Sequence, residues 1–222
     1  IVGSMVMPHA LNVQYNVDLS IDLIAGWNWI SINVLPEDPS VGTVLASLGA
    51  DALLINSQSS GASQNYPQYG MWAGGLAAFE PGNMYLLQMG APATLVVTGT
   101  PVDVASTPID LIAGWNWISL NVLPEDPSIG SVLATVSETA TFINSQSSGT
   151  STNYGVYGWY GGLTTLEPGS GYLLNMSAPD VLTYPEFDGL AKLNANKQEV
   201  ILSEKISGWD FNYADYEFIG TI

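Results

Sequence analysis

Few residues in this chain have side chains suited to chemistry, and most of those occur twice. Glu37 and Asp38 stand side by side in the run LPEDPS, and Glu125 and Asp126 repeat them in a second LPEDPS. Adjacent carboxylates can ligate calcium or divide general acid and base work between them. A structural role competes with both. Asp38 is placed to cap a helix whose first position is Pro39, and a first-turn carboxylate complements the positive helix end. Calcium loops supply carboxylates at alternating positions, which PED followed by Pro does not. The pattern therefore favours capping, with no cofactor expected and calcium the one left open.

A second candidate combines amides with aromatic rings. Asn56, Gln58, Asn65, Tyr66, Tyr69 and Trp72 share one stretch, and Asn144, Gln146, Asn153, Tyr154, Tyr157, Trp159 and Tyr160 match them later. Ring faces stack on the C–H groups of sugars while amides bond the hydroxyls. On that reading Gln58, Tyr66, Tyr69, Trp72, Gln146, Tyr154, Tyr157 and Trp159 are the candidate glycan ligands. The competing reading has the rings cover the core and the amides tie down loop backbone. His9 is the only histidine and cysteine is absent, so metal pairs, triads and thiol chemistry lack their parts. Asn175-Met176-Ser177 fits a glycosylation sequon in the second copy alone.

These residues recur because the chain is a tandem duplication. IDLIAGWNWIS at Ile21–Ser31 returns letter for letter at Ile109–Ser119, and INSQSSG at Ile55–Gly61 returns at Ile143–Gly149. The two copies slip by one residue near Trp72, and EPG at Glu80–Gly82 then matches Glu167–Gly169. We read 21–98 as a first module, 99–108 as a linker and 109–184 as a second module. Residues 1–20 read as the tail of a preceding repeat or an exchanged strand. Residues 185–222 read as an extension or the start of a following domain.

Local patterns set the expected elements. After Gly26 the chain alternates, with Trp27 and Trp29 on one face and Asn28 and Ile30 on the other. The large rings, like Trp115 and Trp117 in the second copy, are expected in the core. DPSVGTVLASL carries the one helix signal per module, with Val41, Val44, Leu45 and Leu48 as its apolar stripe and Ile129, Val132, Leu133 and Val136 as the counterpart. EPG is a turn signal whose glycine is free to take positive φ. The expected fold is β-dominated α+β: two homologous barrel-like or sandwich-like modules, each with about five or six strands and one short helix, plus terminal strands.

Charge narrows the function classes. The net is −17, arginine is absent, and the three lysines, Lys192, Lys197 and Lys205, all follow the second module. Nothing before them can neutralise phosphate, which argues against nucleic acid and anionic membranes as partners. No apolar run is long enough for a membrane-spanning helix. Few basic residues among many Ser, Thr, Asn, Gly and Tyr fit an extracellular or cell-surface protein.

The combination of Gly26-Trp27-Asn28, Ile30-Ser31, Glu80-Pro81-Gly82, Tyr85 and Met89 resembles a repeat module of secreted, multi-domain bacterial surface proteins. The second copy matches at Gly114, Trp115, Asn116, Ile118, Ser119, Glu167, Pro168, Gly169, Gly171, Tyr172 and Met176. The first copy departs at Asn83–Met84, where the pattern has a residue followed by glycine. The resemblance covers most of Ile21–Tyr184 and implies a non-catalytic exported repeat. The expectation is a structural or adhesive protein that spaces or assembles on the cell surface, its partners being further copies or neighbouring domains. Terminal strand pairing into a fibre is one route to such assembly. The alternative is a carbohydrate-binding module of a larger secreted protein.

Overall fold

The computed structural model describes residues 16–102, 107–120 and 126–185. The candidate terminal strands, and Glu125 of the second carboxylate pair, lie outside them. Of these described residues 51% are strand and 14% helix, a β-dominated architecture of several antiparallel sheets with few short helices.

The first repeat begins with β1 (Val17–Leu23) and β2 (Gly26–Ser31), followed by the two-residue β3 (Val34–Leu35). A one-turn helix α1 (Val41–Val44) continues into 3-10 turns, and then come β4 (Ala52–Ser57), β5 (Ala62–Tyr66) and β6 (Met71–Gly74). β7 (Met84–Met89) and β8 (Ala93–Pro101) close it. One sheet has the order β1-β8-β3 and the other β2-β7-β4-β5-β6. They enclose a sandwich-like core of Leu19, Leu23, Leu95 and Val97 from the first sheet and Ile30, Ile55, Tyr85 and Leu87 from the second. Among the described residues no barrel closes. Strands exceed the expected five or six because β3 is two residues long and β5, ASQNY, lacks the apolar alternation that marks a strand.

The second repeat reproduces the larger sheet strand for strand. β9 (Ile109–Leu111) pairs with β15 (Asp180–Leu182), and β10 (Gly114–Ser119) joins β14 (Gly171–Met176), β11 (Ala140–Ser145), β12 (Thr150–Asn153) and β13 (Trp159–Gly161) in the order β10-β14-β11-β12-β13. Its one-turn helix is α2 (Ile129–Val132). Tyr184 is buried at its far end and its hydroxyl donates to the Ser119 carbonyl.

The expected helix stripe is buried in both copies: Val41, Val44, Leu45 and Leu48, then Ile129, Val132, Leu133 and Val136. The cap sits two residues later than the sequence implied. Ser40 is the N-cap, its hydroxyl accepting from Thr43 N–H, and Asp38 braces that cap from outside the helix. The helix therefore starts after Pro39, where a serine can turn its hydroxyl back onto the first turn.

Trp27 and Trp29 do share a face, but it is not the core face. Asn28 and Ile30 are buried, whereas Trp27 is 42% exposed and Trp115 47%, and Trp29 and Trp117 are half-buried. This corrects the core assignment of the four tryptophans. Asn28 has to face inward because it builds the turn into β2. Its Oδ1 accepts from Ile24 N–H at 2.9 Å, while Nδ2 donates to the carbonyls of Ile24, Gly26 and Leu87. Asn116 repeats the bonds to Ile112 and Gly114. Gly26 and Gly114 occupy this turn at φ 92° and 90°, a conformation that disfavours any side chain.

Candidate functional site

The carboxylates are occupied within their own loops. Asp38 accepts from the Thr43 hydroxyl at 2.6 Å and from both the N–H and hydroxyl of Ser40. These bonds, Thr43 foremost, hold its carboxyl below the usual aspartate value. Asp126 is lowered likewise, chiefly by the N–H of Ser128 and then by its hydroxyl. Both favour the ionised acceptor, which suits a brace and not a proton donor. Among the described residues no group of three or more His, Cys, Asp or Glu is placed to hold a metal ion.

The candidate glycan ligands separate into three sets. Tyr69 and Tyr157 lie outermost, 73% and 76% exposed, each ending a short 3-10 turn that precedes the outer edge strand of its sheet. Tyr154 is also exposed and meets Tyr160 edge-on at 5.9 Å. Tyr66 is half-buried and its hydroxyl donates to Gln64 Oε1. Trp72 packs partly against the core and lines a cleft of about 650 Å³ with Thr43, Asn65, Gly70 and Met71. Trp159 is half-buried at the equivalent place in the second repeat.

The amides take other roles. Asn65 donates to the carbonyls of Gly49 and Ala52, both at 2.8 Å, and Asn153 does the same for Ser137 and Ala140. They pin the end of the helical segment to the sheet. Asn56 is half-buried within β4, opposite Ala62 and Leu86.

Gln58 and Gln146 are placed furthest from the expected site, because each reaches into the other repeat. Gln58 Nε2 donates to the Trp115 carbonyl and its Oε1 accepts from Trp117 N–H, both at 2.7 Å. Reciprocally, Gln146 Nε2 donates to the Trp27 carbonyl at 2.5 Å and Oε1 accepts from Trp29 N–H at 2.6 Å. Each carboxamide thus stands in for one peptide unit of a missing neighbouring strand. β2 and β10 are the end strands of their sheets, and an end strand leaves alternate N–H and C=O groups without a ladder partner. The glutamines satisfy those groups at Trp27, Trp29, Trp115 and Trp117.

Further along the same edges, Ser31 N–H donates to the Gly169 carbonyl at 2.9 Å and Ser119 N–H to the Gly82 carbonyl at 3.2 Å. The Ser31 hydroxyl also reaches the Ser170 carbonyl, and antiparallel bridges join Ile30 to Ser170 and Asn83 to Ile118. Gly82 and Gly169 are the glycines of the two EPG turns, at φ 89° and 83°. Buried tyrosines fix those turns. Glu80 N–H donates to the Tyr85 hydroxyl and Glu167 N–H to that of Tyr172, both at 2.7 Å. Burial pushes both phenols up, so they remain neutral donors as well as acceptors. The repeats are thereby joined through a two-fold-like clasp within one compact unit.

From sequence, these glutamines read as sugar ligands; the structure sets them across the two repeats. The signal for the clasp was present in the letter-for-letter identity of GWNWIS and NSQSSG, since both partners of a reciprocal contact must be kept. No protein-family model, curated protein or solved structure matches this chain.

Proposed function

We propose that the chain is a non-catalytic repeat protein of the cell surface or extracellular space, in which the paired repeats serve as one stiff structural or adhesive unit. The reciprocal Gln58 and Gln146 clasp carries this reading. It turns two repeats joined by a linker into a body held by hydrogen bonds at both ends of the contact. The side chains best suited to chemistry support it as well: Asp38, Asp126, Asn65 and Asn153 are spent on caps and loops. Partners are then further copies of the chain or adjoining domains. Among the described residues no helix is long and apolar enough to cross a membrane. Immunogold labelling of intact source cells with antibody to the repeats tests the proposal. Label on the outer face supports it, and label confined to the cytoplasm overturns it.

A carbohydrate-binding role is the second reading, favoured by the equivalent exposure of Tyr69 and Tyr157 and by the Trp72-lined cleft. With no lysine or arginine in either repeat, neutral glycans suit it better than acidic ones. Titration with neutral polysaccharides should then shift tryptophan fluorescence, and the Tyr69→Ala and Tyr157→Ala variants should lose the shift. A flat response across a broad panel removes this reading.

A further inference from the structure

The clasp joins nearly identical surfaces, so geometry alone would let each repeat pair with another copy of itself. Two adjacent positions differ within the contact, Asn83 against Ser170 and Met84 against Gly171, and the second differs far more in volume. Met84 and Gly171 occupy the same place in the two repeats, each the first residue of the strand after the EPG turn. Met84 is 1% exposed and packs against Gly171: a Cβ added to Gly171 would lie 2.8 Å from Met84 Sδ and closer still to its Cγ. Ser31, opposite Met84 in its sheet, and Ser119, opposite Gly171, are the serines whose N–H groups cross to the other repeat. The large and small residues therefore meet within the contact itself.

We propose that Met84 against Gly171 is an interlock that selects the unlike repeat as partner. Two first repeats would bring methionine against methionine, and well-packed contacts do not absorb that added volume without displacement. Two second repeats would bring glycine against glycine and leave a void where the Met84 side chain sits. Only the unlike pair fills the space once. Specificity here comes from penalising wrong pairs as much as from favouring the right one. The occupant of each clasp surface is thus the other kind of repeat, in the same chain or in a second copy.

Exchange of the two residues in the full chain tests this. Gly171→Met alone should lower the melting temperature by roughly 5 °C or more, and Met84→Gly alone by a similar amount. The double variant Met84→Gly/Gly171→Met restores a large and a small residue with their sides exchanged. It should recover most of the loss. A double variant no more stable than Gly171→Met overturns the interlock. Partner choice is read by refolding the two single variants together. One chain then carries glycine at both positions and the other methionine at both, so matched pairs form only between chains. Native mass spectrometry should show a one-to-one complex in the mixture and not in either variant alone. A mixture that behaves as the two variants kept apart overturns the role in partner choice.

Discussion

Replacing Gln58 with alanine removes two hydrogen bonds at once, one to the Trp115 carbonyl and one from Trp117 N–H, both 2.7 Å. A protein hydrogen bond contributes about 0.5–1.5 kcal/mol net, and here water can reach the vacated groups, so the lower half of that range applies. Gln58→Ala should cost about 1–2 kcal/mol. For a chain of this size that lowers the melting temperature by about 3–6 °C. Gln146→Ala should cost the same, because it removes the matching pair at Trp27 and Trp29. The two sites share no partner, so the double variant should lose close to the sum. Calorimetry on the full chain supplies the energies, with Gln68→Ala, an exposed glutamine of the same sheet rim, as the control. Hydrogen exchange supplies the location: Gln58→Ala should speed exchange at Trp117 N–H and leave Trp29 N–H protected, and Gln146→Ala should do the reverse. Gln58→Glu adds a pH signature. Its carboxylate can accept from Trp117 but sets a charged oxygen against the Trp115 carbonyl, so stability should partly recover as the glutamate protonates. Losses no larger than that of Gln68→Ala, or faster exchange in the mutated repeat itself, would refute the clasp.

Asn28→Ala strips the turn of four bonds and leaves the buried Leu87 carbonyl with less to accept, so a loss of about 2–4 kcal/mol in urea denaturation is expected. Gly26→Ala meets nothing within 4 Å of the new Cβ, so any loss measures backbone strain at φ 92°, about 1–2 kcal/mol by the same assay. Asp38, Asp126 and Asp180 all have carboxyls lowered from the ordinary 3.8, Asp180 chiefly by the Thr139 hydroxyl. The unfolded chain then binds more protons than the folded one in acid, so their contribution is present above pH 3.8 and is lost as pH falls below it. Melting temperatures between pH 6 and 2 should show that decline, and it should be shallower in Asp38→Asn/Asp126→Asn.

What was legible in the sequence depended on whether one residue's pattern carried its own explanation. The apolar stripes that begin in α1 and α2 and run on into the 3-10 turns did, since periodicity and burial are the same statement on a helical segment. So did Gly82 and Gly169, whose place in EPG anticipates positive φ. The tryptophans did not. Alternation shows which residues share a face and leaves open which face is inside, and size argued for the rings. The choice was made by Asn28, whose amide meets the Ile24 and Gly26 backbone only from the inner face. Gln58 was illegible for a different reason: its partners lie in the other repeat, and no local pattern reports a contact across that separation. The departure at Asn83–Met84 was visible as an oddity. Its meaning depended on seeing Gly171 opposite.

The symmetry of the clasp limits how such a chain can build anything larger. A two-fold contact uses the same patch on both partners and so closes once both are engaged, whereas a filament needs a contact whose two halves differ. Closed within one chain, the clasp therefore finishes β2 and β10 as edges. Among the described residues the opposite ends of the two large sheets are β6 and β13, short edge strands beside the exposed Tyr69 and Tyr157. Short strands at an edge resist casual pairing, and Gly74 and Gly161 end these two. On the proposed structural or adhesive role, the aromatic rims at these two outer edges are the surfaces to test for growth or adhesion. Lysine placed at Tyr69 and Tyr157 is the sharp test. It should abolish self-association or surface adhesion while leaving melting temperature within about 1 °C, because both side chains are mostly in water. Unchanged association would move the assembling contact off these rims.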